Sequence, residues 1–110
     1  MENKAEEHVI IDRFTVPKAA MQDFRNRIHL SMQIIASQAG FVNNTAYEQI
    51  DHKEHLTNYI TIVTWKSRED LEKSMPSVQA EYEKLSFDPI KTMENLHLAL
   101  DRGIYAEVKS

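Results

Sequence analysis

The stretch that decides the fold is TIVTWKSRED, residues 61–70. A run rich in β-branched residues ends on Trp65, the only tryptophan of the chain, and a polar Ser-Arg-Glu-Asp follows with neither glycine nor proline between. β-Branched and aromatic residues favour strands, whereas a serine with an acidic residue three positions later is typical of a helix start. The stretch therefore predicts a strand that passes almost directly into a helix.

Four segments predict strands, because each is short and rich in β-branched or aromatic residues. They are HVIIDRFTV (8–16), FVNNTAYEQI (41–50), LTNYITIVTW (56–65) and IYAEV (104–108). The short polar connection DHKEH (51–55) predicts that the second and third strands pair as a hairpin.

Between these strands, apolar residues recur at helical spacing. A first helix is predicted over about 18–38, and Gly40 follows at the position where a left-handed residue commonly ends a helix. A second helix is predicted after Ser67, with a kink or a restart at Pro76.

An extra helical segment is predicted over 88–100, and Asp101-Arg102-Gly103 is interpreted as its end. The order strand, helix, strand, strand, helix, short helix, strand is the split βαβ, ferredoxin-like pattern of an α+β fold with one antiparallel sheet. We expect a single domain over 1–110, with a flexible N-terminus at 1–7 and a folded part at 8–108.

The sheet face turned away from the helices is predicted to be apolar, since it carries Val9 and Ile11 on the first strand or Ile60 and Ile62 on the third. A monomer rarely exposes so large an apolar patch. We therefore expect a homodimer in which two sheets cover each other.

Composition excludes several classes of function. The chain has no cysteine, a net charge of −4 and scattered basic residues, so thiolate chemistry is excluded and a nucleic-acid partner is not expected. No apolar run approaches the roughly 20 residues that span a bilayer, and the charged start MENKAEEH is unlike a secretory signal. These features predict a cytoplasmic protein without a membrane partner. The two glycines leave no phosphate-binding loop.

The junction resembles the antibiotic biosynthesis monooxygenase family in its Trp65-x-Ser67 motif and the acidic helix start that leads to Leu71. The segments FTVPKAAMQDF (14–24) and QAGFV (38–42) are similar too, and the likeness covers about 8–85. The resemblance implies a dimeric α+β barrel with the substrate between helices and sheet. It also implies a monooxygenase that acts on a small aromatic, phenolic or quinol-like molecule without metal or organic cofactor.

The resemblance indicates Asp12 as the candidate catalytic residue, because haem-degrading relatives carry a strand-one asparagine before an arginine. A carboxylate whose pKa is raised by burial accepts a phenolic proton. The alternatives are a structural ion pair, for example with Lys18, or an exposed strand edge. Trp65 is a candidate substrate contact and equally a core residue, and Tyr59 and Tyr82 are further candidate contacts or packing residues.

The absence of a histidine from the predicted second helix indicates the main alternative function. Haem degraders and many relatives that act on quinols carry a histidine in or near the second helix, and SREDLEKSMPSVQAEYEKL (67–85) has none. This absence favours a non-catalytic barrel protein that binds small ligands or is related to stress. His52 and His55 have the spacing of a metal pair, but without further ligands a solvated turn is the simpler interpretation, so no metal site is predicted.

Overall fold

The computed structural model describes residues 6–51 and 55–108. Along the chain the elements are β1 (His8–Pro17), a short 3₁₀ turn (Lys18–Ala20), α1 (Met21–Ala36), β2 (Phe41–Glu48), β3 (Leu56–Trp65), α2 (Arg68–Lys84), α3 (Pro89–Asn95) and β4 (Ala99–Tyr105). Most of the expected flexible N-terminus and His52 of the H-x-x-H pair lie outside the described residues.

The four strands form one antiparallel sheet in the order β2-β3-β1-β4. This order confirms the predicted ferredoxin-like pattern. β1 is central and pairs along most of its length, with β3 on one side and β4 on the other. Its residues therefore have neighbours on both edges, and its helix-facing side chains Asp12, Phe14 and Val16 are buried.

The core lies between the helices and one face of the sheet. Near the start of α1, Phe14 packs against Phe24 with ring centroids 5.0 Å apart, and Val16 and Met21 complete this cluster. A second cluster joins the two long helices through Ile34, Val78 and Tyr82. The two clusters leave space between them, and this space becomes the candidate site.

The last strand differs from the prediction. The extra helix and the last strand are both present, but α3 covers only Pro89–Asn95 and β4 covers Ala99–Tyr105, so the expected bounds of 88–100 and 104–108 are wrong. His97 has a φ of 57°, a left-handed conformation that turns the chain out of the helix. Pairing with β1 then gives the following residues strand partners, and this tertiary pairing outweighs the helical spacing of the apolar residues.

Pro76 does not restart α2, which continues from Arg68 to Lys84. The proline is exposed, so the carbonyl of Glu72 that loses its helical partner faces solvent, where water can replace the lost hydrogen bond. β2 is also shorter than predicted, since it ends at Glu48.

The strand-to-helix junction at residues 61–70 is built as predicted. Ser67 caps α2, because its Oγ accepts a hydrogen bond from the Asp70 amide at 3.1 Å and donates one to the Asp70 carboxylate at 2.8 Å. The Lys66 amide donates to the Gly40 carbonyl at 2.7 Å, which ties the end of β3 to the turn after α1. Trp65 is therefore held at the meeting point of a strand, a turn and a helix start.

No helix within 6–51 or 55–108 combines the length and the hydropathy that a bilayer crossing requires. The sheet face opposite the helices carries Val9, Ile11, Ile60 and Ile62, and each is only partly buried within one chain.

We expect Gly40→Ala to destabilise the protein by about 2–4 kcal/mol, the sum of a left-handed alanine and of local overpacking. Gly40 has a φ of 85°, and a Cβ placed there would lie 2.5 Å from the Cβ of Asp70. Urea denaturation measures the loss. Gly40→Asn is the matched variant, because asparagine tolerates the left-handed region but brings the same Cβ, so it should recover only part of the loss. Native stability in Gly40→Ala would contradict this close approach.

Candidate functional site

A cavity of about 340 Å³ lies between the sheet and the three helices. Its sheet wall comes from alternate residues of β1, β3 and β4, because successive side chains of a strand point to opposite faces. These residues are Ile10, Asp12, Phe14, Thr61, Val63, Trp65, Leu100 and Arg102. The helices supply mostly apolar side chains, including Ile28, Met32, Met75 and Met93. The arrangement, an apolar chamber with a few polar groups, is typical of small-molecule sites.

Asp12 and Arg102 form a bidentate ion pair at the cavity wall. Arg102 Nε donates to Asp12 Oδ1 and Arg102 Nη2 donates to Asp12 Oδ2, both at 2.7 Å. The two residues lie directly opposite each other in the register of β1 and β4. The Asp12 side chain is 9% exposed and that of Arg102 is 56% exposed, so the pair extends from the buried wall toward solvent.

This pairing stabilises the protonated form of Arg102. Hydrogen bonding to Asp12 is the largest cause that raises the pKa of the Arg102 guanidinium, and the charge interactions with Asp12 and with Tyr82 act in the same direction. Burial opposes the rise. Arg102 is therefore a permanent cation at the cavity, with Tyr82 within its electrostatic reach.

A second polar contact at the cavity wall joins the two long helices. The hydroxyls of Ser31 on α1 and Tyr82 on α2 lie 2.5 Å apart, and both residues are buried. The Tyr82 ring is also fixed by Phe87, which packs edge-on at a centroid distance of 5.1 Å. Each hydroxyl retains an acceptor lone pair, so the pair offers a ligand hydrogen-bonding capacity in an otherwise apolar wall.

Trp65 is 1% exposed and lines the cavity at the end of β3. The Phe41 ring packs edge-on against it, with centroids 6.2 Å apart. Trp65 is therefore both a core residue and a part of the cavity wall.

Tyr59 is placed differently from the other candidates. Its ring packs edge-on against Phe24 at a centroid distance of 5.1 Å, and it is not among the described residues that line the cavity. Burial is the largest cause that raises the pKa of its hydroxyl, the charge of Glu48 adds to the rise, and Arg25 opposes it. The structure thus brings Asp12, Trp65 and Tyr82 to one cavity and leaves Tyr59 behind its wall.

The described part of the chain contains no cluster of side chains that could hold a metal ion. Within 6–51 and 55–108, no three side chains of the metal-binding types His, Cys, Asp or Glu converge. His29 and His97 are exposed, and α2 carries no histidine.

Two residues of the site, Arg102 and Ser31, were not predicted from the sequence. The expected partners of Asp12 were near it in sequence, whereas its actual partner is 90 residues away. The apolar residues Leu98 and Leu100, which alternate with Ala99 and Asp101 before Arg102, were the available signal for a strand. Ser31 gave no signal beyond being a polar residue on the apolar stripe of α1.

Comparison with known proteins identifies the fold. The chain matches no protein-family model and no curated protein sequence. Among solved structures, SnoaB, a cofactor-independent oxygenase from Streptomyces nogalater, superposes with a TM-score of 0.70 at 19% identity over 96% of this chain and 97% of that one.

Two further structures are similar over nearly their full length. A candidate antibiotic biosynthesis monooxygenase from Nitrosomonas europaea has a TM-score of 0.70 at 13% identity, covering 98% of this chain and 96% of its own. A dimeric ferredoxin-like protein from an uncultured marine organism has a TM-score of 0.69 at 9% identity, covering 96% and 98%. The resemblance found in the sequence is thus confirmed at the level of the fold: this chain has the ferredoxin-like α+β fold that these three structures share.

Proposed function

We propose that the chain is a monooxygenase that acts on a small aromatic, phenolic or quinol-like molecule without metal or organic cofactor. The observation that carries the proposal is the cavity of about 340 Å³ with the Asp12–Arg102 pair and Trp65 on its sheet wall. An apolar chamber suits a planar ring, and the ion pair places a proton acceptor and a cation beside it. The similarity in fold to SnoaB supports this assignment.

In the proposed reaction an electron-rich substrate reduces dioxygen directly. A tricyclic anthrone illustrates the balance of atoms. Asp12 removes a proton from the methylene carbon, and the resulting anion adds dioxygen at that carbon. The peroxide anion takes the proton back from Asp12, and the hydroperoxide then loses water to leave a carbonyl. Anthrone and one dioxygen thus give anthraquinone and one water; the carbon is oxidised by four electrons and dioxygen is reduced by four.

The other residues hold the substrate. Arg102 stabilises the negative oxygen of the substrate anion, since its guanidinium has N–H groups beyond the two that it donates to Asp12. Trp65 and Tyr82 contact the ring, and the Ser31–Tyr82 pair supplies a hydrogen bond. Tyr59 acts indirectly, because its ring packs against Phe24, and Phe24 lines the cavity.

Oxygen consumption with anthrone tests the proposal. In an oxygen electrode, with a chelator present and the uncatalysed rate subtracted, the native chain should consume one dioxygen for each anthraquinone formed. No enzymatic uptake with anthrone or with related phenols and quinols would contradict the monooxygenase assignment.

A second candidate function is binding without catalysis, and the pairing of the polar groups favours it. Asp12 is bonded to Arg102, and Ser31 is bonded to Tyr82. A carboxylate that already accepts two hydrogen bonds has fewer lone pairs for a substrate proton. A ligand that binds in the cavity but consumes no oxygen would identify this function.

We also propose that the protein is a homodimer joined through the sheet face that carries Ile11, Ile60 and Ile62. The rows of partly buried apolar residues support it, as does the similarity to a dimeric ferredoxin-like protein. Stable interfaces bury about 1,200–2,000 Å² of surface in total. The cytoplasmic location stays a prediction.

Light scattering at micromolar concentration should therefore report twice the chain mass of 12.8 kDa. Ile62 lies opposite Ile11 and Thr45 in the middle of the sheet, so Ile62→Glu should give a monomer. Ile90→Glu is the control, because Ile90 is 71% exposed on a helix away from this face. A monomeric native chain would contradict the dimer.

A further inference from the structure

We propose that the ligand of the cavity carries a carboxylate and that Arg102 is the residue that recognises it. This inference rests on the proposed function, since it names the class of molecule that the cavity takes: an aromatic carboxylic acid. In this assignment Asp12 also positions Arg102, and Arg102 makes the contact that selects the charge of the ligand.

The first argument is the geometry of the guanidinium. Nε and Nη2 of Arg102 are the side-on edge of the group, and both donate to Asp12. A guanidinium has five N–H donors, so three remain, and one from each terminal nitrogen forms the end-on edge. Two parallel N–H groups on one edge match the two oxygens of a carboxylate. In the described part of the chain, this end-on edge has no hydrogen-bond acceptor.

The second argument is that Arg102 is fixed before a ligand arrives. A free arginine side chain loses rotamer entropy when it orders around a ligand, which weakens binding. Here two 2.7 Å hydrogen bonds to a buried carboxylate already set the plane of the guanidinium. More than half of the Arg102 side chain stays exposed, so the free edge is accessible from solvent.

The third argument is the charge of the cavity. The charged residues among its described lining are Asp12, Arg27 and Arg102, one carboxylate and two guanidinium groups. Arg102 is paired with Asp12, and Arg27 is paired with Asp23, so these four charges cancel in sum. The attraction for an anion therefore comes from the N–H donors of Arg102 that its pairing with Asp12 leaves free. The partner of Arg27, Asp23, is not one of the lining residues.

The fourth argument concerns the body of the ligand. Apart from Thr61, Thr92 and the polar groups already described, the wall is formed by aliphatic, methionine and aromatic side chains, for example Ile10, Ile28, Val63 and Met93. Methionine side chains adapt to flat rings and make favourable contacts with them. A flat apolar body therefore matches the wall in polarity, and one carboxylate on it matches the free donors of Arg102.

Titration calorimetry with β-naphthoate and β-naphthamide tests the proposal, because the two probes share a ring system and differ in charge. The native chain should bind naphthoate at least about tenfold more tightly than naphthamide, the ratio expected from charge-assisted hydrogen bonds. Arg102→Gln should abolish the preference. Arg25→Gln is the matched control, because Arg25 pairs with Glu48 outside the cavity lining, and it should leave the preference unchanged.

Arg102→Gln leaves the buried carboxylate of Asp12 without its partner, so the variant is also made together with Asp12→Asn. The double variant should bind both probes equally. Equal affinities in the native chain, or a preference for naphthoate that survives in the double variant, would overturn the proposal while leaving an aromatic-binding cavity in place. Binding of neither probe would refute the ligand class, and oxygen uptake with anthrone would still test the proposed function separately. Charge selection by Arg102 without oxygen uptake from anthrone would support this inference and contradict only the monooxygenase assignment.

Discussion

Trp65→Ala is expected to lower the free energy of unfolding by about 3–5 kcal/mol, a large share of the 5–15 kcal/mol that keeps a typical domain folded. Trp65 is 1% exposed, and its ring packs edge-on against Phe41. Its removal takes away contacts with β2 and enlarges a cavity that the native core already contains. Urea denaturation followed by far-ultraviolet circular dichroism measures the loss without the tryptophan signal.

Two further variants serve as comparisons for Trp65→Ala. Trp65→Phe keeps an aromatic ring in the wall, so it should lose roughly half as much stability as Trp65→Ala. Ile90→Ala removes a side chain that is 71% exposed, and it should change stability by no more than about 0.5 kcal/mol. A Trp65→Ala protein as stable as Ile90→Ala would show that the strand-to-helix junction does not depend on its tryptophan.

Asp12→Asn is expected to reduce oxygen uptake with anthrone by about a hundredfold or more, the usual contribution of a general base. The asparagine keeps an oxygen that can accept one hydrogen bond from Arg102, so the loss of stability should be only about 1–2 kcal/mol. Initial rates in the oxygen electrode and urea denaturation measure the two effects separately. Catalysis and folding are thus expected to respond very differently to one change.

Asp51→Asn is the control for this variant, because it makes the same change at an exposed residue that does not line the cavity. It should keep the native rate of oxygen uptake. If Asp12→Asn retained that rate and lost only stability, Asp12 would be a structural partner of Arg102, and the binding function would be the better account.

The sequence predicted the fold well where local patterns decide it. Residues 61–70 predicted the end of β3 and the start of α2, since a β-branched run and a serine cap act within a few residues. Gly40 was likewise predicted as the left-handed residue after α1, and it has a φ of 85°. Strand alternation, which put Val9 and Ile11 on the outer face, also implied that Asp12 lies with Phe14 on the face that meets the helices, and both are buried there.

The rest of the site depends on contacts between distant parts of the chain. Arg102 was interpreted as part of a helix end because its neighbours fit a helical spacing, and only the register of β4 against β1 places it opposite Asp12. Tyr59 and Trp65 lie on the same face of β3 but at different distances along it, so one supports the cavity wall and the other forms it. Alternation predicts the face of a residue, whereas the position of a cavity along that face depends on how the helices pack.

The central claim is that the cavity between the helices and the sheet binds the ligand. Chemical-shift mapping in amide NMR spectra with β-naphthoate tests it most directly, because Trp65 is the only tryptophan and gives a single indole N–H signal. The account predicts saturable shifts of this indole signal and of the amides of Asp12, Tyr82 and Arg102, with the amides of Ile60 and Ile62 nearly unmoved. Shifts confined to the opposite sheet face, or an indole signal that does not move, would contradict it.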